Sequence, residues 1–331
     1  MVFDLSPLTV NHLSLLLACF IASFIWIGRS RQRQKGVVYA GVPLVMSAIV
    51  ASSFIIAEPR QILGLAIAGL FIMLIGGLDE RYELPPVVQF AGQVLIILTL
   101  ILSGWTIPYV TNPFGSGVLY LNSTFTTVFL YAPLWTFAWL LLTINAVNWL
   151  DGLDGLASGV GLAGFAVLAA ISVLPATQDA QTLGLALLNV GVLGGFYVWN
   201  VAPAKAYLGT TGSWYLGMML GLTALIGGGK IATTLLVLAV PIFDAALVII
   251  TRLTMRQPPW QGDTTYHVHH RLQSAGLSAQ TIAVALTLVS LLLGLPAVLF
   301  HTSRKLWLLT IIVGLIGIGY AISIRRQYLV K

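Results

Sequence analysis

The chain has 331 residues, of which 58% are hydrophobic and only 8% are charged, whereas soluble globular domains carry about 25% charged residues. This composition excludes a soluble fold, a collagen-like chain, a disordered chain and a nucleic-acid-binding domain. The net charge is +6, and the single cysteine, Cys19, excludes both an intrachain disulfide and a cysteine-based metal site.

Apolar runs of about 20 residues, the length that crosses the hydrocarbon core of a bilayer, recur along the chain. They predict an all-α, polytopic membrane helix bundle of about eleven transmembrane helices. The predicted spans are 8–27, 37–57, 61–78, 87–107, 127–149, 156–174, 182–201, 213–226, 231–250, 280–300 and 306–324. The first run lacks a basic flank and a cleavage site, so we expect it to be retained. Since no internal repeat is visible, residues 1–331 are predicted to form one integral-membrane domain.

The positions of the basic residues predict the orientation of the bundle. With the N-terminus outside, twelve of the sixteen Lys and Arg residues fall on the cytoplasmic side. The four outside are Arg60, Lys230, Arg304 and Lys305. Because cytoplasmic loops of membrane proteins are enriched in Lys and Arg, we expect the N-terminus outside and the C-terminus in the cytoplasm. The uncharged outer loop from Pro108 to Thr126 contains turn signals and is expected to form an interfacial loop or hairpin.

Polar side chains collect at the predicted cytoplasmic ends of the spans, most densely between Asn145 and Asp154. Asn145, Asn148, Asp151 and Asp154 follow one another at intervals of three residues, which places consecutive side chains next to each other on a helix. Such an array of oxygen donors suits Mg²⁺ better than zinc or copper. A helix cap rich in Asn and Asp, with glycine turns, is the alternative interpretation.

A pair of adjacent carboxylates, Asp79 and Glu80, ends the third predicted span. Adjacent carboxylates repel each other, so that one stays protonated or both share a cation. The pair could therefore hold a metal or act as a base. An interfacial helix end, with Arg81 following the acids, is the alternative.

Three histidines and an arginine lie within five residues: His267, His269, His270 and Arg271. They could bind a metal or hold phosphate oxygens by charge-assisted hydrogen bonds. Zinc usually recruits histidines three or more residues apart on a helix, or a cysteine, so phosphate binding is favoured over zinc. A polar interfacial loop is the alternative. The segment 209–213, Gly-Thr-Thr-Gly-Ser, could likewise wrap a phosphate or be a plain turn.

Five sequence elements, in this order, resemble those of the polyprenyl-phosphate N-acetylhexosamine-1-phosphate transferases. They are Asp79-Glu80, the segment from Asn145 to Asp154, Asn200 with Pro203-Ala-Lys205, Pro241-x-x-Asp244, and His267-x-His269-His270-Arg271. The resemblance covers roughly residues 30 to 280. This family, glycosyltransferase family 4, includes the muramoyl-pentapeptide translocase of peptidoglycan synthesis. The form of the histidine element is similar to that of the branch using UDP-N-acetylglucosamine.

The resemblance implies transfer of a sugar-1-phosphate from a UDP-sugar to undecaprenyl phosphate or a similar lipid, with Mg²⁺ and release of UMP. The reaction would occur at the cytoplasmic face of the cell membrane, as the first membrane step of cell-envelope polysaccharide synthesis. The implied catalytic residues are Asp79, Glu80, Asp151 and Asp154, and the implied metal ligands are Asn148, Asp151, Asp154 and Thr210. The implied substrate-binding residues are Asn145, Asn200, Lys205, Asp244, His267, His269, His270 and Arg271.

Three positions depart from the usual pattern of the family. Glu80 stands where a second aspartate is common, Gln89 where a basic residue is common, and Thr210 where an aspartate binds the metal. The charge lost at Thr210 predicts weaker metal binding unless Asp151 and Asp154 compensate.

Two other functions stay open at this point. The first is a catalytically weakened relative that binds lipid phosphate or nucleotide sugar without turnover. The second is an ion-coupled secondary transporter, whose ionisable groups would lie near the membrane midplane. The sequence predicts no nucleic-acid partner, and a homodimer is compatible with it.

Overall fold

The computed structural model describes residues 10–33, 39–112, 117–121, 131–175, 177–226, 230–254, 256, 267–299, 304–305, 307–308, 310–312 and 314. In these ranges the chain forms a helical bundle with one short hairpin. The first helices are α1 (Val10–Arg33), α2 (Gly41–Ser52), α3 (Pro59–Tyr82), α4 (Pro86–Leu102), α5 (Ala132–Leu150) and α6 (Leu156–Ser172). The next are α7 (Ala180–Asn200), α8 (Gly209–Leu225), α9 (Ile231–Val237), α10 (Ala239–Thr254), α11 (Val268–Ser274) and α12 (Ala279–Leu299).

The all-α prediction is confirmed in its coarse form, since helices occupy each of the first ten predicted spans. Four helices are long and apolar enough to cross a membrane, or five if the bent pair of α9 and α10 is one span. The last predicted span, 306–324, lies largely outside the described residues. The count of eleven spans and the orientation of the termini therefore stay predictions.

The ninth predicted span is broken, because α9 and α10 meet at an angle of 71°. Pro241 is the third residue of α10, and a proline ring clashes with the carbonyl four residues earlier. That carbonyl belongs to Val237, the last residue of α9. The proline therefore explains why one helix ends at this point and another begins.

The connection after α4 contains the predicted hairpin. Strands β1 (Tyr109–Thr111) and β2 (Val118–Tyr120) pair in antiparallel register, with Tyr109 opposite Tyr120. The hairpin is therefore confirmed, while residues 113–116 and 122–130 of the same connection lie outside the described part of the chain.

Helix α8 lies at the centre of the bundle, and every residue from Thr211 to Leu225 is buried. It packs against α5, α3, α2 and α6. Its Gly217 allows a close helix approach, because a Cβ there would lie 2.6 Å from the Ile144 Cα of α5. Small residues permit such backbone contact between membrane helices. The first turn of α8 is thereby fixed beside the ends of the surrounding helices.

Polar contacts at the two ends of the bundle are different in kind. At the end where α7 and α9 begin, the buried Lys230 forms an ion pair with the half-buried Asp179, and Lys230 Nζ also donates to Thr182 Oγ1 over 2.8 Å. Burial alone would raise the pKa of Asp179, but hydrogen bonds from Lys230 and Thr182 outweigh it and lower the pKa. This paired cluster holds helix ends together, whereas the carboxylates of the predicted site lie at the opposite end.

Candidate active site

The end of α3 meets the start of α8 through two carboxylates. The Thr210 hydroxyl donates to Asp79 Oδ2 over 2.6 Å, and the Thr211 backbone N–H donates to Glu80 Oε1 over 2.9 Å. Backbone N–H groups in the first turn of a helix lack intrahelical partners and favour anions. Gly209 adopts a φ of +67°, and a Cβ there would lie 2.4 Å from Glu80 Oε1. Only glycine therefore fits at the point where the two helices meet.

Asp79 is held by three hydrogen-bond donors. Besides the Thr210 hydroxyl, Gln89 Nε2 donates over 2.9 Å and the Leu84 backbone N–H over 3.0 Å, both to Oδ1. Two of the positions that depart from the family pattern, Gln89 and Thr210, thus contact the same carboxylate. The Thr210 proton is committed to Asp79, which the sequence did not predict, while its oxygen lone pairs stay free to bind a ligand.

The connection between α5 and α6 places Asp151 and Asp154 beside a cavity. Asp154 Oδ2 accepts a hydrogen bond of 2.8 Å from the Ala204 backbone N–H. Burial raises the pKa of Asp151 well above its usual range, and the charges of Glu80 and Asp154 raise it further against a hydrogen bond from the Gly209 backbone. The cavity, of about 220 Å³, is lined by Tyr39, Asp151, Gly152, Leu153, Asp154, Asn200, Tyr207, Leu208 and Gly209. Negative charge is therefore concentrated around a space of small-molecule dimensions.

Asn200 links the segments of chain that surround this cavity by hydrogen bonds. Its Oδ1 accepts hydrogen bonds from the Gly155 backbone N–H over 3.1 Å and from Ser158 Oγ over 2.6 Å. Its Nδ2 donates to the Ala206 carbonyl over 3.0 Å. The side chain is 4% exposed, so most of its hydrogen-bonding capacity holds the α7 end to the α6 start. One amide hydrogen is left over for the predicted substrate contact.

The two earlier asparagines contact side chains of neighbouring helices. Asn145 and Gln93 exchange side-chain hydrogen bonds of 2.8 and 3.3 Å between α5 and α4. Asn148 Oδ1 accepts a hydrogen bond of 2.9 Å from Ser213 Oγ of α8. Asn145 therefore ties helices together, while Asn148 lies against the first turn of α8.

The histidine segment, residues 267–271, packs against the same end of the bundle. His267 Nδ1 lies 2.7 Å from Asp244 Oδ2, and the Val268 backbone N–H donates to Asp244 Oδ1 over 2.7 Å. His269 is buried, and a Cβ on Gly152 would lie 2.5 Å from its Nε2. The absence of a side chain at Gly152 thus lets His269 approach the connection that contains Asp151 and Asp154.

The His269 imidazole is neutral at pH 7. Burial lowers its pKa to about 4, helped by His270 and His267 and opposed by Asp244. Its imidazole can therefore donate or accept a hydrogen bond at the site without adding a positive charge. A charge-assisted hydrogen bond to phosphate would have to come from a different residue.

The remaining predicted residues lie at the margin of the site. His270 is half-buried, with its ring centroid 4.3 Å from that of His269 and its Nδ1 3.2 Å from Gln273 Oε1. Arg271 is half-buried on α11, and Lys205 is exposed on the connection between α7 and α8. Neither basic side chain is among the residues that line the cavity.

The fold and the site together define a helical membrane protein with a polar, anionic cavity at one end of its bundle. The chain belongs to glycosyl transferase family 4, which matches residues 62–228. This match spans both carboxylate elements and Thr210.

Curated relatives resemble the chain over most of its length. It is 30% identical to the probable undecaprenyl-phosphate N-acetylglucosaminyl 1-phosphate transferase of Bacillus subtilis (strain 168), over 80% of this chain and 72% of that protein. It is 33% identical to the decaprenyl-phosphate N-acetylglucosaminephosphotransferase of Mycolicibacterium smegmatis, over 64% of this chain and 56% of the relative. The undecaprenyl-phosphate alpha-N-acetylglucosaminyl 1-phosphate transferase of Escherichia coli (strain K12) is 26% identical over 90% of this chain and 83% of its own.

Proposed function

We propose that the protein transfers N-acetylglucosamine-1-phosphate from UDP-N-acetylglucosamine to undecaprenyl phosphate or a similar polyprenyl phosphate, releasing UMP. The reaction takes place at the cytoplasmic face of the cell membrane, with the chain as a multi-pass protein whose N-terminus is outside. One observation carries the proposal: the carboxylates of Asp79, Glu80, Asp151 and Asp154 and the His269 imidazole lie at one end of the bundle. The names of the curated relatives support the same reaction.

In this reaction a phosphate oxygen of the lipid attacks the β-phosphorus of the UDP-sugar. The bond from that phosphorus to the bridging oxygen breaks, and UMP leaves with the electron pair. The second pKa of a phosphate monoester is near 6, so the attacking oxygen needs no strong base at neutral pH. Asp79, held by three donors, is suited to keep a fixed position where α3 meets α8 rather than to move with a proton. Positioning and charge stabilisation then supply most of the rate enhancement.

Residues around the cavity fit a divalent cation. Asp151 and Asp154 offer carboxylate oxygens, the ligand type that Mg²⁺ prefers. Burial raises the pKa of Asp151, and the neighbouring charges of Glu80 and Asp154 raise it further, so a cation bound there would favour its ionised form. Asn148 and the lone pairs of Thr210 are neutral oxygen ligands within the same end of the bundle. When bound, Mg²⁺ neutralises charge on the diphosphate.

Other residues of the site bind the substrates. We assign His269 a neutral hydrogen bond to a phosphate oxygen, and Arg271 and Lys205 the charged contacts once the nucleotide is present. His267 is oriented by Asp244 through its Nδ1, which leaves its Nε2 available. His270, Asn145 and Asn200 complete the proposed substrate-binding set.

The weakened relative stays as the second candidate, because one observation favours it. Thr210 contributes no negative charge, and its proton is donated to Asp79. A site that binds a nucleotide sugar but holds Mg²⁺ weakly would turn over slowly. The transporter hypothesis has no such support, since the named relatives are transferases.

The experiment measures UMP release by purified protein supplied with UDP-N-acetylglucosamine, undecaprenyl phosphate and Mg²⁺. We expect release to require both substrates, and Asp151→Asn to lower kcat by about 100-fold or more, as loss of one electrostatic group commonly does. Glu58→Gln is the matched control, because this exposed acid precedes α3 at the opposite end of the bundle. No release with any UDP-sugar, or release at the same rate without the lipid, would contradict the proposal.

A further inference from the structure

Three potential metal ligands from two separate segments meet beside α11. They are Asp244 of α10, His267 just before α11, and His269 in its first turn. One ligand atom from each residue can be chosen so that all three lie within 4.8 Å of one another. Asp244 and His269 are 5% and 2% exposed, so the group is sheltered from solvent.

We propose that Asp244, His267 and His269 form a binding site for a transition-metal dication of the Zn²⁺ type. One carboxylate oxygen and two imidazole nitrogens suit a borderline ion, whereas Mg²⁺ prefers an all-oxygen set. Three protein ligands leave one tetrahedral position open for water or an anion. This site is distinct from the carboxylate site proposed for Mg²⁺ around Asp151 and Asp154.

The two histidines can share a metal ion although only one residue separates them. His267 has an extended backbone, with φ −66° and ψ 143°, and it precedes α11 rather than belonging to it. The two imidazole rings can therefore stack, with centroids 5.4 Å apart, although only one residue separates them. The third ligand comes from 23 positions earlier in the chain, which a comparison of spacings within the histidine segment could not include.

Only a small movement is needed to bind the ion. With bonds of about 2.0–2.1 Å, a tetrahedral ion separates its ligand atoms by about 3.3 Å. No two of the three ligand atoms are more than 4.8 Å apart, so the most distant pair would have to approach by at most about 1.5 Å. Asp244 Oδ2 and His267 Nδ1, which are 2.7 Å apart, would have to move slightly apart. If His267 binds through Nδ1, its proton moves to Nε2, since a neutral imidazole carries one.

A bound ion would change the electrostatics of the neighbouring cavity. His269 lies against Gly152, so the ion would add positive charge close to the connection that contains Asp151 and Asp154. The neutral His269 would then act on an anionic ligand through the metal instead of by a hydrogen bond of its own. The metal site does not depend on the transferase activity, and its test is a binding measurement.

The probe is Co²⁺, which reports tetrahedral nitrogen and oxygen ligation by intense visible bands. Purified full-length protein in detergent is stripped of metal and titrated with Co²⁺ in excess Mg²⁺, which keeps all-oxygen sites occupied. We expect about one equivalent to bind with a tetrahedral spectrum and to be displaced by Zn²⁺. His269→Gln and Asp244→Asn should each weaken Co²⁺ binding by more than about 100-fold. Losing a residue that only hydrogen-bonds to a metal ligand usually costs about 10- to 100-fold in metal affinity.

His270→Gln is the matched control, because it changes the same residue type one position away and outside the group of three. We expect it to keep the wild-type spectrum. Asp244→Asn also alters the hydrogen bond from Val268, so His269→Gln decides the case if Asp244→Asn lowers the melting temperature. No stoichiometric binding by the wild type, or equal binding by His269→Gln, would overturn the proposal even if the protein released UMP normally.

Discussion

Replacing Thr210 with valine tests whether Asp79 must be held in place for the reaction. The two side chains have nearly the same shape, so the substitution removes the hydroxyl that donates to Asp79 Oδ2 over 2.6 Å. Asp79 keeps two donors on its other oxygen, Gln89 Nε2 and the Leu84 N–H. The carboxylate should therefore stay near the site but rotate more freely.

The size of the effect follows from the hydrogen bond that is lost. A hydrogen bond to a charged group contributes about 1.5–3 kcal/mol, which corresponds to about 10- to 150-fold in rate if it acts fully in the transition state. Because two donors remain, we expect kcat to fall by about 10-fold, toward the lower limit. Gln89→Leu combined with Thr210→Val should lower kcat by more than 100-fold, roughly, since only the backbone donor is left.

The assay is UMP release at saturating lipid, nucleotide sugar and Mg²⁺, with kcat and KM determined separately. Thr210→Ser keeps a hydroxyl and should retain kcat within about 3-fold of the wild type. The melting temperature of each variant shows whether the protein remains folded. Wild-type kcat in both Thr210→Val and the double variant would refute the claim that these donors position Asp79.

Three further predictions address the acids, the cavity and the histidine segment. Thr210→Asp brings a second carboxylate to hydrogen-bond distance from Asp79, so UMP release should decrease through repulsion; a large gain would instead favour the weakened relative. Gly152→Ala places a Cβ 2.5 Å from His269 Nε2, so it should displace the imidazole and raise KM for the UDP-sugar. An unchanged KM would show that the position of His269 does not affect binding of the UDP-sugar. Burial lowers the pKa of His269 from 6.5 to about 4, so the folded state binds fewer protons than the unfolded state between these values. The metal-free protein should therefore lose up to about 3 kcal/mol of stability as pH falls from 6.5 to 4, and melting curves of His269→Gln should lose most of this dependence.

Apolar run lengths predicted the helices well, because a bilayer imposes a minimum length on each span. The break between α9 and α10 was missed, although Pro241 was visible in the sequence and marks the clash with the carbonyl of Val237. The turn residues of the outer connection predicted a loop or a hairpin there, and the structure has a two-stranded hairpin. Residues close together in the sequence thus predicted the helices and the turn region, and Pro241 would have been enough to predict the break.

The predicted site residues were selected by type and spacing, and their partners could not be selected in that way. Thr210 and Asp79 are 131 positions apart, and Gln93 and Asn145 are 52 apart. Such pairs depend on which helices become neighbours around α8, which no local pattern encodes. The structure places His269 against Gly152 and Glu80 near Asp151, while the roles of the predicted residues in binding and catalysis stay predictions.

The most direct measurement of the central claim follows the phosphorus atoms of the donor. Purified protein is supplied with undecaprenyl phosphate and UDP-N-acetylglucosamine radiolabelled at the β-phosphorus. Transfer of a sugar-1-phosphate predicts that the label appears in the lipid fraction and that unlabelled UMP is released in equal amount. Label that stays in the aqueous phase as UDP, with or without sugar on the lipid, would contradict the account.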